Sequence, residues 1–194
     1  MNIVNVGYDS TNYYLLGDRN RLLVDIGFPG SLPKLVNACK RKSVAFTEIK
    51  YLLVTHYHPD HGGLAQELKQ KGIRLVVLQN QLAWIPLMAG TMKPAQHYQE
   101  IDLRDNLVLE YEQSRKFLLG LGVSGEIIHT PGHSEDSLSL VLDEGLAFTG
   151  DLHLPGMADD PQGQIRQSWE KLNALGVKVV YPGHGPQFQL EQSV

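Results

Sequence analysis

Thr55-His56-Tyr57-His58-Pro59-Asp60-His61-Gly62 places four imidazole or carboxylate side chains within the six positions 56–61. Immediately before it, Ile49-Lys50-Tyr51-Leu52-Leu53-Val54 is short, apolar and partly β-branched, the pattern of a buried strand, so His56 and His58 stand where that strand ends. In extended chain, residues i and i+2 point the same way, which puts both imidazoles on one face within reach of a shared cation. Pro59 stops the strand and bends the chain, so Asp60 and His61 project at another angle, towards a second cation. After Gly62-Gly63, Leu64 to Lys71 reads as a helix behind the loop. An isolated histidine is usually an ordinary surface or core residue. This cluster is different, because nothing in strand or helix formation rewards three imidazoles and a carboxylate together, and protonation would set the imidazoles against one another.

Working outward, Ile3 to Gly7 and Asn12 to Leu16 read as two strands of a meander, and Arg21 to Asp25 as a third that ends in Asp25-Ile26-Gly27. Ser31 to Lys42 is expected as a helix with Leu32, Leu35, Val36 and Cys39 as its buried stripe, which makes Cys39 a core residue rather than a nucleophile. Beyond the motif, Ile73 to Leu78 is a strand and Gln79 to Gly90 a short helix carrying Trp84, Ile85, Leu87 and Met88. Thr91 to Asn106 has no clear period and suits a lid, a binding loop, a surface excursion or a dimer contact. Tyr111 to Leu121 is helical, and the strand Glu126 to His129 runs into Thr130-Pro131-Gly132-His133-Ser134. Ser137 to Leu142 and Leu146 to Thr149 form a hairpin finishing in Gly150-Asp151. Trp169 to Leu175 reads as a helix, and the strand Val177 to Tyr181 exits through Pro182-Gly183-His184-Gly185.

Four strand ends therefore deliver His56, His58, Asp60 and His61, then His133, then Asp151, then His184, each beside glycine or proline where a loop can aim a side chain. Tyr14 to Gly27 and Ser139 to Asp151 echo each other as hairpins whose second strand ends at an aspartate. The echo predicts two similar halves and an α+β fold: a four-layer α/β-β/α sandwich, with two mixed sheets face to face and helices outside.

The 194 residues suit a single domain, 1–194, burying about 70% of its unfolded surface. One cysteine, no basic-then-apolar leader and no run of about 20 apolar residues fit a cytoplasmic protein that does not enter membranes. The net charge of −4 is dispersed, and the one basic cluster, Lys40-Arg41-Lys42, closes an expected helix, so nucleic acid is not an expected partner. A small-molecule substrate is expected, with a homodimer as an open possibility.

The motifs Thr-His-Tyr-His-Pro-Asp-His-Gly, Thr-Pro-Gly-His-Ser, Thr-Gly-Asp-Leu and Tyr-Pro-Gly-His-Gly, in this order, make the chain resemble the metallo-β-lactamase superfamily from the first meander to Gly185. The resemblance implies that His56, His58 and His133 hold one metal, that Asp60, His61 and His184 hold another, and that Asp151 bridges them. It also implies that Asp25 steadies a ligand histidine. Imidazole and carboxylate donors suit zinc first, with iron or manganese as alternatives, over calcium or magnesium. Two divalent ions about 3.5–4 Å apart can share and ionise a water, so the implied nucleophile is a bridging hydroxide. Asp60 and Asp151 are the expected catalytic carboxylates, with Asp60 carrying a proton to the leaving group.

Departures from the family's branches narrow the substrate. The family's β-lactamases lack an aspartate at the position of Asp151, and the flavodiiron branch has glutamate where His58 stands. Glyoxalase II resembles this core but adds a helical glutathione-binding domain, for which ten residues after His184 leave no room. The lactonases carry a tyrosine shortly after the bridging aspartate, where this chain has Leu152-His153-Leu154, and the basic elements of the RNA-processing members are not found. The resulting expectation is a metal-dependent hydrolase of a small-molecule ester, thioester or lactone. A mononuclear iron persulfide dioxygenase and a non-catalytic, metal-stabilised binding module are the alternatives. Leu152, Leu154, Pro155 and Met157, with Trp84, Met88 and Met92, are candidates for an apolar pocket mouth, while His97, His129 and His153 are read as non-ligands.

Overall fold

Alternate residues of the strands sort into separate apolar layers, and this period of two builds the architecture. The computed structural model describes residues 1–190. One sheet is ordered β1 (Ile3–Asn5), β2 (Tyr14–Leu16), β3 (Arg21–Val24), β4 (Ile49–Leu53), β5 (Arg74–Leu78) and β6 (Leu107–Leu109). Its first three strands pair antiparallel and β3 to β6 run parallel. The second sheet has the order β11-β10-β9-β8-β7, with β7 (Gly125–His129), β8 (Leu138–Leu142), β9 (Leu146–Gly150), β10 (Val179–Pro182) and β11 (Phe188–Gln189). Only β9 and β10 pair parallel within it.

Leu15, Leu23, Leu52, Leu75 and Val77 face α1 (Leu32–Arg41) and α3 (Ala65–Gln70), packing on Leu35, Cys39 and Leu68. Their neighbours Leu16, Leu22, Leu53, Val76 and Leu78 face the other way and meet Ile127, Leu138, Leu140 and Phe148 of the second sheet. The outer face of that sheet, through Val141, Ala147 and Val180, covers Trp169 and Leu172 of α5 (Gln164–Ala174). Three apolar layers thus separate four layers of structure, as the echo of the two halves predicts. One helix departs from the simple sandwich. The helix α4 (Tyr111–Gly120) sends Leu118 into the layer between the sheets and closes its edge.

Several local expectations need correction. Residues 79–90 do not make an α-helix but two 3-10 turns, Gln79–Gln81 and Ile85–Thr91. Pro86 lacks an amide hydrogen, and the buried Ile85 and Met88 recur at the three-residue period of the tighter helix while Leu87 is exposed. In α1 the buried stripe is Leu35, Ala38 and Cys39, with Val36 turned outward. The last helix begins five residues before Trp169, at Gln164, because the Asp160 carboxylate accepts the free amides of Ile165 and Arg166 at its start. The 91–106 segment lines no part of the cavity described below. It is pinned instead, by Tyr98 and Ile101 against the first core and by the Lys69 ammonium donating to Asp102 O, Arg104 O and Asn106 Oδ1. No described helix is long and apolar enough to cross a membrane.

Phe148 tests the inter-sheet layer. It is 1% exposed, stacks on Tyr181 at 5.0 Å and meets Tyr14 edge-on at 5.1 Å. Phe148→Ala is expected to cost about 3–5 kcal/mol, whereas Leu119→Ala on the surface should stay within about 0.5 kcal/mol. Urea unfolding of metal-free protein measures both.

Candidate metal centre

The chain leaves β4 through Val54 and Thr55, and His58 is still extended at φ −98°, ψ 157°. Pro59 then opens α2 (Pro59–Gly62), since its fixed φ suits a first helical position, and this single turn carries Asp60 and His61. The expected bend is therefore one turn of helix. From the second half, the turn after β7 brings His133, β9 ends at Asp151's neighbour Gly150, and the turn after β10 brings His184.

These exits meet at one edge. His58 Nδ1 lies 3.1 Å from His56 Nε2 and 3.0 Å from His133 Nε2. Asp60 Oδ2 lies 3.3 Å from His184 Nε2 and 3.7 Å from His61 Nε2. Between the two triplets, Asp151 Oδ1 is 3.3 Å from His61 Nε2, and Asp151 Oδ2 is 3.4 Å from His184 Nε2, 3.8 Å from His133 Nε2 and 4.0 Å from His56 Nε2. Within each of the groups His56/His58/His133, His56/His61/Asp151 and Asp60/His61/His184, the donor atoms all lie within 4.8 Å of one another. All seven residues singled out in the sequence are thus brought together. His56 and His61 are fully buried at the floor, and His184, 41% exposed, stands at the solvent side.

The far nitrogens explain how the rings are aimed. His61 Nδ1 donates to Asp25 Oδ2 at 2.9 Å, and Asp25 also accepts Thr55 N at 2.7 Å and Thr55 Oγ1 at 2.8 Å. Thr55 Oγ1 in turn meets His56 Nδ1 at 3.2 Å, so one carboxylate braces a histidine of each triplet. His184 Nδ1 donates to Ser10 O at 2.9 Å, and Thr11 Oγ1 donates to Asp60 Oδ2 at 3.2 Å. His153 belongs to none of the three donor groups, yet its Nε2 is 3.3 Å from His133 Nδ1. His129 Nε2 meets Glu135 O, and His97 lies in a left-handed turn at φ 50°; neither belongs to a donor group. Ser10, Thr11 and Thr55 act here through a carbonyl and two hydroxyls, groups whose role carries no signal in sequence.

A divalent cation fits this donor set. Among the described residues, four buried side-chain atoms have no hydrogen-bond partner, Tyr57 Oη, Asn106 Nδ2, His61 Nε2 and Asp151 Oδ1, and the last two lie 3.3 Å apart inside the donor set, where a cation would satisfy both. Rings turned by partners on their outer nitrogens are also the usual surroundings of metal-bound imidazole. Burial, then the neighbouring His61, His133 and His58, hold the His56 imidazole well below its ordinary range, so it is neutral and able to coordinate. Burial likewise lowers His133. At His61 burial acts in the same direction, but Asp25 and Asp151 outweigh it and hold the ring up at about 10, so a cation at Nε2 binds by displacing a proton. Burial would raise Asp151, but contact with His61 lowers it instead.

Two glycines are required by close approach. A Cβ on Gly183 would lie 2.4 Å from Asp151 Oδ1 and 2.7 Å from His61 Cε1. One on Gly150, which has φ +53°, would lie 2.4 Å from Thr55 Oγ1.

Comparison with known proteins agrees with this fold. The chain is 29% identical over 184 residues to an atrochrysone carboxyl ACP thioesterase of Emericella nidulans, a match covering 90% of this chain and 51% of that protein. It is 25% identical over 199 residues to a probable metallo-hydrolase, MJ0888, of Methanocaldococcus jannaschii, covering 92% and 89%. The fold is shared with the crystal structure of TTHA1623 in a di-iron-bound form, at TM-score 0.72 and 22% identity, covering 97% of this chain and 94% of that one. The chain spans about half the length of the first curated relatives it matches. The family model of the metallo-beta-lactamase superfamily matches residues 6–184, which contain every donor described above, and the chain belongs to that superfamily.

Proposed function

We propose that this protein is a dinuclear metal-dependent hydrolase that cleaves a small-molecule ester or thioester, with a lactone as a cyclic case of the same chemistry. The observation that carries the reading is Asp151, whose two oxygens lie within 3.3–4.0 Å of histidines from both triplets. His56, His58 and His133 are assigned to one cation, Asp60, His61 and His184 to the other, and Asp151 to both. Zinc is the first choice, with iron or manganese next. When bound, two such cations supply Lewis acidity and a water ionised near neutral pH.

The chain's own groups do the remaining work. Asp25 and Ser10 hold the rings of His61 and His184 in place. Asp60 Oδ2 is engaged by Thr11, so its Oδ1, which no described hydrogen bond occupies, carries a proton to the leaving group. The relative named as a thioesterase supports an acyl-transfer substrate, and the absence of an aspartate from this position in the family's β-lactamases weighs against that activity. Cytoplasmic placement, with buried Cys39 reduced, accompanies the reading.

Metal analysis should find close to two ions per chain, and His58→Ala should abolish turnover of ester and thioester panels. One tightly bound iron, with oxygen uptake on glutathione persulfide in place of hydrolysis, overturns the proposal. So does a fully loaded protein that is inert across the panel and merely melts earlier on chelation. Asp25→Asn is expected to weaken metal binding about 10–100-fold. Gly183→Ala should do so at least as strongly, because its Cβ displaces Asp151 and His61 together. Competition against a chromophoric chelator reads both variants.

A further inference from the structure

The segments that follow two of the assigned ligands form a cavity of about 680 Å³ beside the centre. Leu152, Leu154 and Met157 follow Asp151, Pro186 and Phe188 follow His184, and Asp151 and His184 themselves stand in its wall. Its volume is in the range of small-ligand sites, about 300–1,000 Å³. The walls are held from behind. Trp169 Nε1 donates to His153 O at 2.7 Å, fixing the turn after Asp151, and Phe188 is fixed by pairing with Val180 and by the Trp169 ring at 6.3 Å. At the mouth Leu154 is 38% and Met157 73% exposed, apolar surface that solvation alone does not favour.

We infer that this cavity is the acyl subsite, and that the substrate is a thioester or ester of an extended apolar acyl chain. The inference rests on the hydrolase reading above and deepens it. In hydrolysis the water oxygen bonds to the acyl carbon and the C–S or C–O bond breaks. The electron pair leaves on sulfur or oxygen, which takes a proton, giving a carboxylate, a proton and a free thiol or alcohol. Charge develops on the carbonyl oxygen and on the departing sulfur or oxygen, both at the reacting carbon, and ends on the carboxylate, while the alkyl chain beyond the acyl carbon stays neutral and loses nothing against an apolar wall. The chain is the part of the substrate that this wall accepts. Continuity with Asp151 and His184 favours it over a second protein copy as the occupant.

The test uses the metal-loaded protein and N-acetylcysteamine thioesters from acetyl to decanoyl. kcat/KM is expected to rise about fourfold per methylene until the cavity is full, and to stay flat when the alkyl group is lengthened on the thiol side. Decanoate should bind saturably by calorimetry. Leu154→Arg and Met157→Arg, both at partly or largely exposed positions, should weaken that binding and lower the decanoyl-to-acetyl ratio at least tenfold. Turnover without chain-length dependence overturns the acyl subsite and leaves the hydrolase standing. Decanoate binding that the arginine variants abolish, with no thioester turned over, keeps the subsite and removes the hydrolase. Self-association lost in Leu154→Arg, with no decanoate binding, assigns the groove to a second copy and overturns the inference.

Discussion

The carboxylate of Asp25 is the constraint on which the rest of the centre depends. It is 2% exposed, and a buried carboxylate is costly unless its oxygens are filled. They are filled by Thr55 N, Thr55 Oγ1 and His61 Nδ1, which ties the end of β3 to the end of β4 and to the turn carrying His61. The same residue adopts φ 62°, a conformation that aspartate tolerates better than most residues, and its amide donates to Leu53 O while that of Ile26 donates to His61 O. The strain and the burial are offset by a single network that also orients the rings of His56 and His61. Removing any member leaves the others unsatisfied, so the network is all-or-none in character.

The two halves meet through a comparable set of fixed contacts. Thr55 O accepts Leu138 N, Gly183 O accepts Asn12 N, and the Tyr14 hydroxyl and Asn12 side chain both donate to Pro182 O. Asp136 is held by Ser134 and accepts the amide of Tyr57, inside the histidine motif, while Gln81 donates to both Val54 O and Asp136 O. Each bond crosses from one half to the other or locks a loop that does. Donor atoms from four separate strand ends can converge within a few ångströms only if such bonds remove the freedom of the loops. The glycines at 150 and 183 have the same role in reverse, since they let backbone come closer than a side chain would allow.

The layered fold was legible because most strands, buried on both faces, are near-continuous apolar runs bounded by turn residues. β6 and β11 have three and two residues, and unlike the comparably short β1 and β2 they belong to no meander of adjacent strands that marks them in the sequence. Leu107 to Leu109 stands between the irregular stretch 91–106 and the helix expected from Tyr111, and only β5 supplies its hydrogen-bonding partner. The donors were legible for a different reason. Each is a histidine or aspartate at the end of an apolar run, and all but His56 stand directly beside glycine or proline, a combination that folding alone does not reward. The groups that aim them are ordinary residues whose role exists only once distant loops are in contact. Thr11, 49 positions before Asp60, is one such residue, and Ser10, 174 positions before His184, is another.

Burial grades smoothly across the donors, from His56 and His61, fully enclosed, through Asp151 and His133 at 16% and 19%, to His184 at 41%. Enclosure at the floor keeps His56 neutral and makes the brace on His61 effective, because a carboxylate acts more strongly where water is excluded. Exposure at the rim has the opposite use. A centre sealed on all sides could hold cations but admit nothing to them. Here the exposed edge at His184 adjoins apolar walls that are rigid behind and open in front. The gradient therefore separates the part of the structure that is held from all sides from the part that stays open to solvent, and it follows from where Asp25 on one side and the Asp151–Met157 turn on the other leave the sheets.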